Sequence, residues 1–330
     1  MVFMNTLPVT LLGLSLSPLL LTGCSALGGS DDEGSRPRVA AAFYPYAYVA
    51  ERVAGDHATV INLTTPGVEP HDLELTPRQV VDISEADLLV YEEGFQPAVD
   101  EAVDQSAEGT TLNVTDVVPL QDTGAPSEAE GHEAEAGGAD ESHADEGHAD
   151  GEEATTLEGD PHLWQDPTLL MPIAEQVRDD LAELDPDHAA DYKANAKTVI
   201  ADLAKLDDDF TTGLADCQRT EFVTSHAAFG YLANRYHLTM VAIAGLSPDI
   251  EPSPEQVAEV QDYVESTGIT TVFSEALGSK EYADTLAGDL GVNTAILDPI
   301  EGLADESSDD DYISLMRDNL AALEKANDCS

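Results

Sequence analysis

The sequence predicts an α/β protein of two lobes, each with a mostly parallel sheet flanked by helices, joined by one long connecting helix with a cleft between the lobes. Three observations predict it. Short β-rich runs alternate with helical ones after residue 38, a second series of the same kind starts after residue 217, and a long amphipathic stretch separates the two. Strict alternation of strand and helix implies βα units and a parallel sheet.

In the first series, Val39–Phe43, Ala58–Thr64, Leu88–Tyr91 and Thr110–Val114 read as strands, rich in Val, Ile, Leu and Thr and bounded by turn residues. Tyr46–Val53, Thr76–Glu85 and Gln96–Asp104 read as helices between them. In the second series the strands are Glu221–Ser225, Thr239–Ile243, Thr270–Ser274 and Thr294–Leu297. The helices are Ala228–Tyr236, Pro254–Ser266, Lys280–Asp289 and Asp311–Lys325. Between the series, Ile173, Val177 and Leu181, then Val199, Leu203, Leu206 and Phe210, recur at helical spacing. A long connecting helix bent at Asp185-Pro186 is expected, stiff enough to restrict any hinge.

The amino-terminal 24 residues read as a targeting segment. The apolar run Leu7–Leu21 is interrupted by Ser and Pro and too short for a comfortable membrane span, and it ends in Leu21-Thr22-Gly23-Cys24. Small residues before a cysteine at the end of such a run resemble a bacterial lipobox, with cleavage before Cys24 and a lipid on its thiol; a plain cleaved signal or short anchor helix is the alternative. The expected division is therefore a signal at 1–24, a Gly/Ser-rich tether at 25–37, a first lobe at 38–166, the connecting helix at 167–213 and a second lobe at 214–330. With Cys24 acylated, Cys217 and Cys329 remain as an even pair in a compartment where disulfides persist. A bridge between them closes a long loop, contributing roughly 4 kcal/mol on the chain-entropy model.

Charge narrows the partners. The chain carries 66 acidic against 13 basic residues, a formal net charge of −53, which excludes general attraction to nucleic acid or anionic lipid. Cations are the natural partners, although solubility or adaptation to salt would explain the acidity equally well. Residues 122–158 form a segment of Gly, Ala, Glu, Asp and His nearly devoid of large apolar groups. Such a segment cannot bury enough surface to order itself, so it reads as a surface loop. Its His132, His143 and His148 would bind metal weakly, because ordering entropy opposes them.

Nine histidines are present, and three stand in distinctive settings: His71 in TPGVEPHDLELTP, His162 in GDPHLWQDP and His226 in VTSHAAFGY. Each follows an extended run and precedes a helix, at the sheet rim where open α/β folds place ligands. Taken singly, each is more often a satisfied polar group at a helix start than a ligand; in matched positions of two lobes they support one another. Neutral imidazole suits Zn²⁺, which takes four N, O or S donors in a tetrahedron. Asp298 in AILDPIEG is the expected fourth ligand, while Glu69 and Glu275 are alternatives or groups that orient the ligands. His57, His188 and His237 lie in turn or helix-surface contexts and read as structural. Because ligation requires neutral imidazole, affinity is expected to fall below about pH 6.5.

These segments also carry a family resemblance. VEPHDLELTPRQV, DPHLWQDP, TSHAAFGYLANRY and LDPIEG resemble, in order, the motifs of metal-binding receptors of bacterial ABC importers, in particular the zinc receptors, from about Val39 to Leu323. The resemblance implies two α/β lobes joined by one long helix with the ion between them, and His71, His162 and His226 as ligands with Asp298 or a water completing the shell. It implies a monomer, lipid-anchored on the extracytoplasmic face of the cell membrane, that captures Zn²⁺ and delivers it to a membrane permease, and no enzymatic activity. In manganese receptors of the family a glutamate replaces the third histidine; nitrogen at His226 favours Zn²⁺ instead. A manganese or iron receptor and a metal-binding adhesin of the same fold are the alternatives. A zinc hydrolase is disfavoured, since no HExxH occurs and no acid is placed as a general base.

Overall fold

Among the described residues, eight four-residue strands form two sheets, and the burial of each strand follows from its place. In the computed structural model, which describes residues 36–124, 159–277, 280–305 and 309–330, the first sheet comprises β1 (Arg38–Ala41), β2 (Thr59–Asn62), β3 (Leu88–Tyr91) and β4 (Thr110–Asn113). The second comprises β5 (Glu221–Thr224), β6 (Thr239–Ala242), β7 (Thr271–Ser274) and β8 (Asn293–Ile296). Every pairing is parallel, and the orders β2-β1-β3-β4 and β6-β5-β7-β8 are the same topology used twice. The inner strands β1, β3, β5 and β7 are almost wholly buried and the outer ones half exposed. Parallel sheets covered on both faces require this, and it explains the near-continuous apolar runs in the sequence.

The helices are α1 (Tyr44–Ala54), α2 (Pro77–Ser84), α3 (Pro97–Ser106) and the single turn α4 (Val114–Val117), then α5 (Leu170–Leu184) and α6 (Ala189–Gly213). In the second half come α7 (Gly230–Tyr236), α8 (Pro254–Thr267), α9 (Glu281–Leu290) and α10 (Tyr312–Ala326). The two sheets are matched down to their caps. Thr76 and Ser253 open α2 and α8 with the same capping box, to Gln79 and Gln256, and with Pro at the first helical position.

The expected single helix bent at Asp185-Pro186 is instead two helices that pack along one another, so the bend is a reversal; α6, with 25 residues, is the long one. Proline at 186 cannot supply the amide that would continue α5, and the chain turns through a 3-10 segment at Pro186–His188. Tyr192 closes the reversal by donating to Asp185 Oδ2 at 2.8 Å.

Each sheet has one private and one shared face. Ile83 and Ala102 of α2 and α3 cover Ala40 and Leu89 of the first sheet, while Val260, Val264, Ala283 and Leu286 of α8 and α9 cover Val223 and Val272 of the second. The other faces belong to one continuous core in which Phe43, Tyr46, Trp164, Phe222 and Phe273 join the apolar stripes of α1, α5, α6 and α10. The same stripe residues that predicted helix, Ile173, Val177, Leu181, Val199, Leu203, Leu206 and Phe210, are all essentially fully buried there. A core running unbroken between sheets resists a wide swing, because opening it would expose large aromatic side chains. Cys217 and Cys329 are joined by a disulfide that ties the start of the second half to the chain end. The expected signal with Cys24, most of the tether, and the insert with His132, His143 and His148 lie outside the described residues. Among the described residues, no helix is long and apolar enough to cross a membrane.

Candidate metal centre

Order 2-1-3-4 places a crevice beyond the carboxyl ends of the two inner strands, where the chain leaves in opposite directions. In the second sheet His226 and Glu275 lie there, two residues after β5 and one after β7. Glu275 Oε1 accepts both the main-chain N–H of His226 (3.2 Å) and its Nδ1–H (2.6 Å). His162, at the start of the 3-10 turn Leu163–Gln165 that precedes α5, is held in the same way: Asp160 Oδ1 accepts its main-chain N–H at 2.9 Å and its Nδ1–H at 2.8 Å. Both rings are fully buried. A carboxylate on Nδ1 fixes the tautomer and turns the Nε2 lone pair outward to whatever lies opposite.

His71 comes from the loop joining β2 to α2. Gln96 Nε2 donates to Thr64 Oγ1 and to Pro70 O, both at 3.0 Å, and Gly67 N–H donates across the cleft to Leu303 O at 2.7 Å, so the loop backbone is tied down. Its ring is placed by an edge contact with Phe95, centroids 4.6 Å apart, and its main-chain N–H reaches Glu69 Oε1 at 3.4 Å. Among the described residues no carboxylate accepts from its Nδ1.

The three rings face one carboxylate oxygen. Nε2 of His71, His162 and His226 lies 3.5, 3.4 and 3.2 Å from Oε1 of Glu301, and all four donor atoms fall within 4.8 Å of one another. Donors 2.0–2.2 Å from a tetrahedral Zn²⁺ sit about 3.3–3.6 Å apart along each edge. Nε2 of His71 and of His162 is buried with no hydrogen-bond partner, the condition of a ligand atom aimed at a cation.

Glu301 replaces the carboxylate expected from sequence. Asp298 turns its Oδ1 back to accept the N–H of Ile300 at 2.8 Å and is absent from the converging group. Burial pushes its carboxyl up to about 6. Asn319 on α10 grips its main chain, accepting from Asp298 N–H and donating to Asp298 O. Ile300 then takes φ +58°, costly for a β-branched residue, and this left-handed step swings Glu301 inward. Trp164 Nε1 (2.7 Å) and Gln165 Nε2 both donate to Pro299 O, so the segment carrying His162 also holds the turn carrying Glu301. The sequence signal was present in LDPIEG, an acid between a Pro-led turn and a glycine, but strand ends do not reveal which acid a strained turn presents. Asp160 was likewise missed; its signal is the Asp-x-His spacing that lets one oxygen take both N–H groups.

Electrostatics keep the site charged. Burial opposes ionisation of Glu301, but the surrounding rings, His71 foremost, hold its carboxyl well below the usual range. Burial likewise disfavours charge on His162, yet the hydrogen bond and charge of Asp160, aided by Glu301, raise it to about 9. His226 is raised well above its ordinary value against burial, by Glu275 and then Glu301. Glu69 is pushed up to about 8 by burial and by the charge and hydrogen bond of Glu301. Two of the imidazoles around the Glu301 carboxylate, those of His162 and His226, thus favour their protonated form without metal, and a divalent cation can take those protons' place. Elsewhere, His57 and His188 stack at the α5–α6 turn with centroids 4.0 Å apart, and His237 caps α7 in the left-handed conformation.

The chain is similar to several known proteins. Zinc-binding lipoprotein AdcA of Streptococcus pneumoniae is 36% identical over 326 residues, covering 97% of this chain. The chain spans 61% of that relative's length. The high-affinity zinc uptake system protein ZnuA of Bacillus subtilis is 35% identical over 314 residues, covering 92% of this chain and 93% of its own. The crystal structure of the Zn(II)-bound ZnuA-like domain of the pneumococcal AdcA superposes with a TM-score of 0.69 at 32% identity, covering 89% of this chain and 99% of that domain. The family model described as ZnuA, zinc-uptake complex component A, periplasmic, matches residues 39–326, and the chain belongs to this family.

Proposed function

We propose that the chain captures one Zn²⁺ with His71, His162, His226 and Glu301 and hands it to the permease of an ABC importer. The carrying observation is the single Glu301 oxygen with three imidazole nitrogens spaced around it at 3.2–3.5 Å, the edge length of a zinc tetrahedron. Three nitrogens and one oxygen favour Zn²⁺ over the harder Mn²⁺. A fourth protein donor leaves no open position for a metal-bound hydroxide, which argues against hydrolase chemistry. The relatives, a zinc-binding lipoprotein, a zinc uptake protein and a Zn(II)-bound domain, point the same way.

The mature chain is anchored by a lipid on Cys24, with a tether at 25–37, lobes at 38–166 and 214–330 and the helical segment 167–213 between them. The insert at 122–158 gathers cations weakly, in a stretch from Gln79 to Val177 that holds no Lys or Arg. Titration of metal-free protein with Zn²⁺ in the presence of a competing chelator, repeated with Mn²⁺, tests the assignment. One tight Zn²⁺ site that excess Mn²⁺ does not displace is expected; a preference for Mn²⁺, or no tight site, refutes it.

A further inference from the structure

The carboxylate that holds His162 is itself held, and by residues from both halves of the molecule. Asp160 is buried and every polar atom it has is engaged. Oδ1 accepts the two N–H groups of His162; Oδ2 accepts the hydroxyl of Thr123 at 2.6 Å; its main-chain O accepts the hydroxyl of Tyr231 at 3.0 Å; its N–H donates to Gln121 O at 2.9 Å. Tyr231, from α7 of the second half, also accepts the N–H of Gln121 at 2.8 Å. The glycine before it is part of the same fit. A Cβ on Gly230 would lie 2.3 Å from Thr123 Oγ1 and 2.5 Å from Asp160 Oδ2, so only glycine lets the pair close against α7.

We propose that Thr123 and Tyr231 are positioning residues for the metal centre, fixing the ring of His162 through Asp160. The inference rests on His162 being a ligand, as set out above. Its physical basis is the cost of an unpaired buried oxygen: without the Thr123 hydroxyl, Oδ2 has no partner, and rotation of the carboxylate to find one pulls Oδ1 off the imidazole. Thr123 also stands at the exit of the insert, with Gly159 at its return, and Gln121 bridges to Asp160 between them. The stem of the insert and the frame of one ligand are therefore the same few residues.

The test uses the full mature chain with Thr123→Val, Thr123→Ser, Tyr231→Phe and Gly230→Ala. Loss of an outer partner of a ligand typically costs 10–100-fold in affinity, so one layer further out about 3–10-fold is expected for Thr123→Val and Tyr231→Phe. Thr123→Ser should return to within about twofold, because it restores the donor. With Co²⁺ as probe, the d–d bands of Thr123→Val and Gly230→Ala should shift in position and intensity, reporting an altered tetrahedron rather than a loosened fold. Wild-type affinity and an unshifted cobalt spectrum in Thr123→Val would overturn the proposal. So would a loss that Thr123→Ser shares in full, or one that merely tracks a fall in melting temperature. A metal-free arm separates this inference from the zinc assignment. The Nδ1–H proton resonance of His162 should move in Thr123→Val and Tyr231→Phe whether or not Zn²⁺ binds, and a resonance unmoved in both refutes the positioning role by itself.

Discussion

The two sheets share one strand order and matching capping boxes, yet they hold their imidazoles differently. His226, beyond β5, has one oxygen of Glu275 on both its main-chain N–H and its Nδ1–H, and His162 has the same from Asp160. His71, on the β2–α2 loop, has only the main-chain half of that arrangement, from Glu69 at 3.4 Å, and keeps 11% of its side chain exposed. The difference teaches that the centre is built from a set part and an adjustable part. His162 and Glu301 are locked to each other through Trp164, Gln165 and the turn at Pro299, and His226 is fixed by Glu275, whereas the His71 ring is aligned by packing on Phe95. A preformed three-donor half lowers the ordering cost of capture, and a looser fourth donor on the solvent side can give way for entry and release.

The severest way to break this comparison is to remove a donor from the set half. His226→Ala or Glu301→Gln should abolish the tight Zn²⁺ site, with a loss exceeding the roughly 10–100-fold that follows removal of an outer carboxylate. Calorimetric titration against a competing chelator reads it, and retention of wild-type affinity by either variant would show that the four groups do not act on one ion. Next in size is the outer layer. Glu275→Gln should lose about 10–100-fold in affinity, while Phe95→Ala, which frees the His71 ring without unpairing any ring nitrogen, should lose less than about 10-fold. Equal losses would erase the distinction between the two parts.

A gentler probe is pH. The raised His162, at about 9, binds a proton throughout neutral pH that the cation must displace. Affinity should therefore keep rising from pH 7 towards about 9 and flatten above it, gaining up to about tenfold per unit for each proton displaced. That window lies above the one set by an ordinary imidazole near 6.5, because Asp160 and Glu301 stabilise the charged ring against the effect of burial. In Glu275→Gln the slope should lessen, since His226 loses the leading cause of its raised value. A profile flat above pH 7 in the wild type would mean that these rings are neutral before metal arrives.

The smallest effect on zinc is expected from the disulfide. Cys217 and Cys329 stand 112 residues apart, with Cys217 before β5 and His226 after it, so Cys217→Ser should leave affinity within about twofold while costing up to roughly 4–5 kcal/mol of stability on the chain-entropy model. Thermal melting with and without reductant measures that loss, and a large fall in affinity would tie the far end of the second half to the site.

Much of this was legible before folding. Strand and helix positions came from apolar runs and helical spacing, and they agree within a few residues because inner parallel strands and packed helices write their burial directly into residue type. The three histidines stood out because each occurs where a strand or extended run gives way to a helix. The reversal at Asp185-Pro186 was harder to see, since two stripes of one period read alike whether a helix bends or folds back. Only α5 and α6 lying against each other distinguishes them.

What the sequence by itself determined is the architecture, the family and the imidazoles on offer, since these rest on local pattern. The choice of Glu301 over Asp298 was decided only in three dimensions. Asn319, 21 residues beyond Asp298, and Trp164, from the segment that carries His162, hold the turn at Ile300 and so select which carboxylate faces the rings. Such a selection is made by hydrogen bonds between distant segments closing at once, and no single stretch of chain carries it.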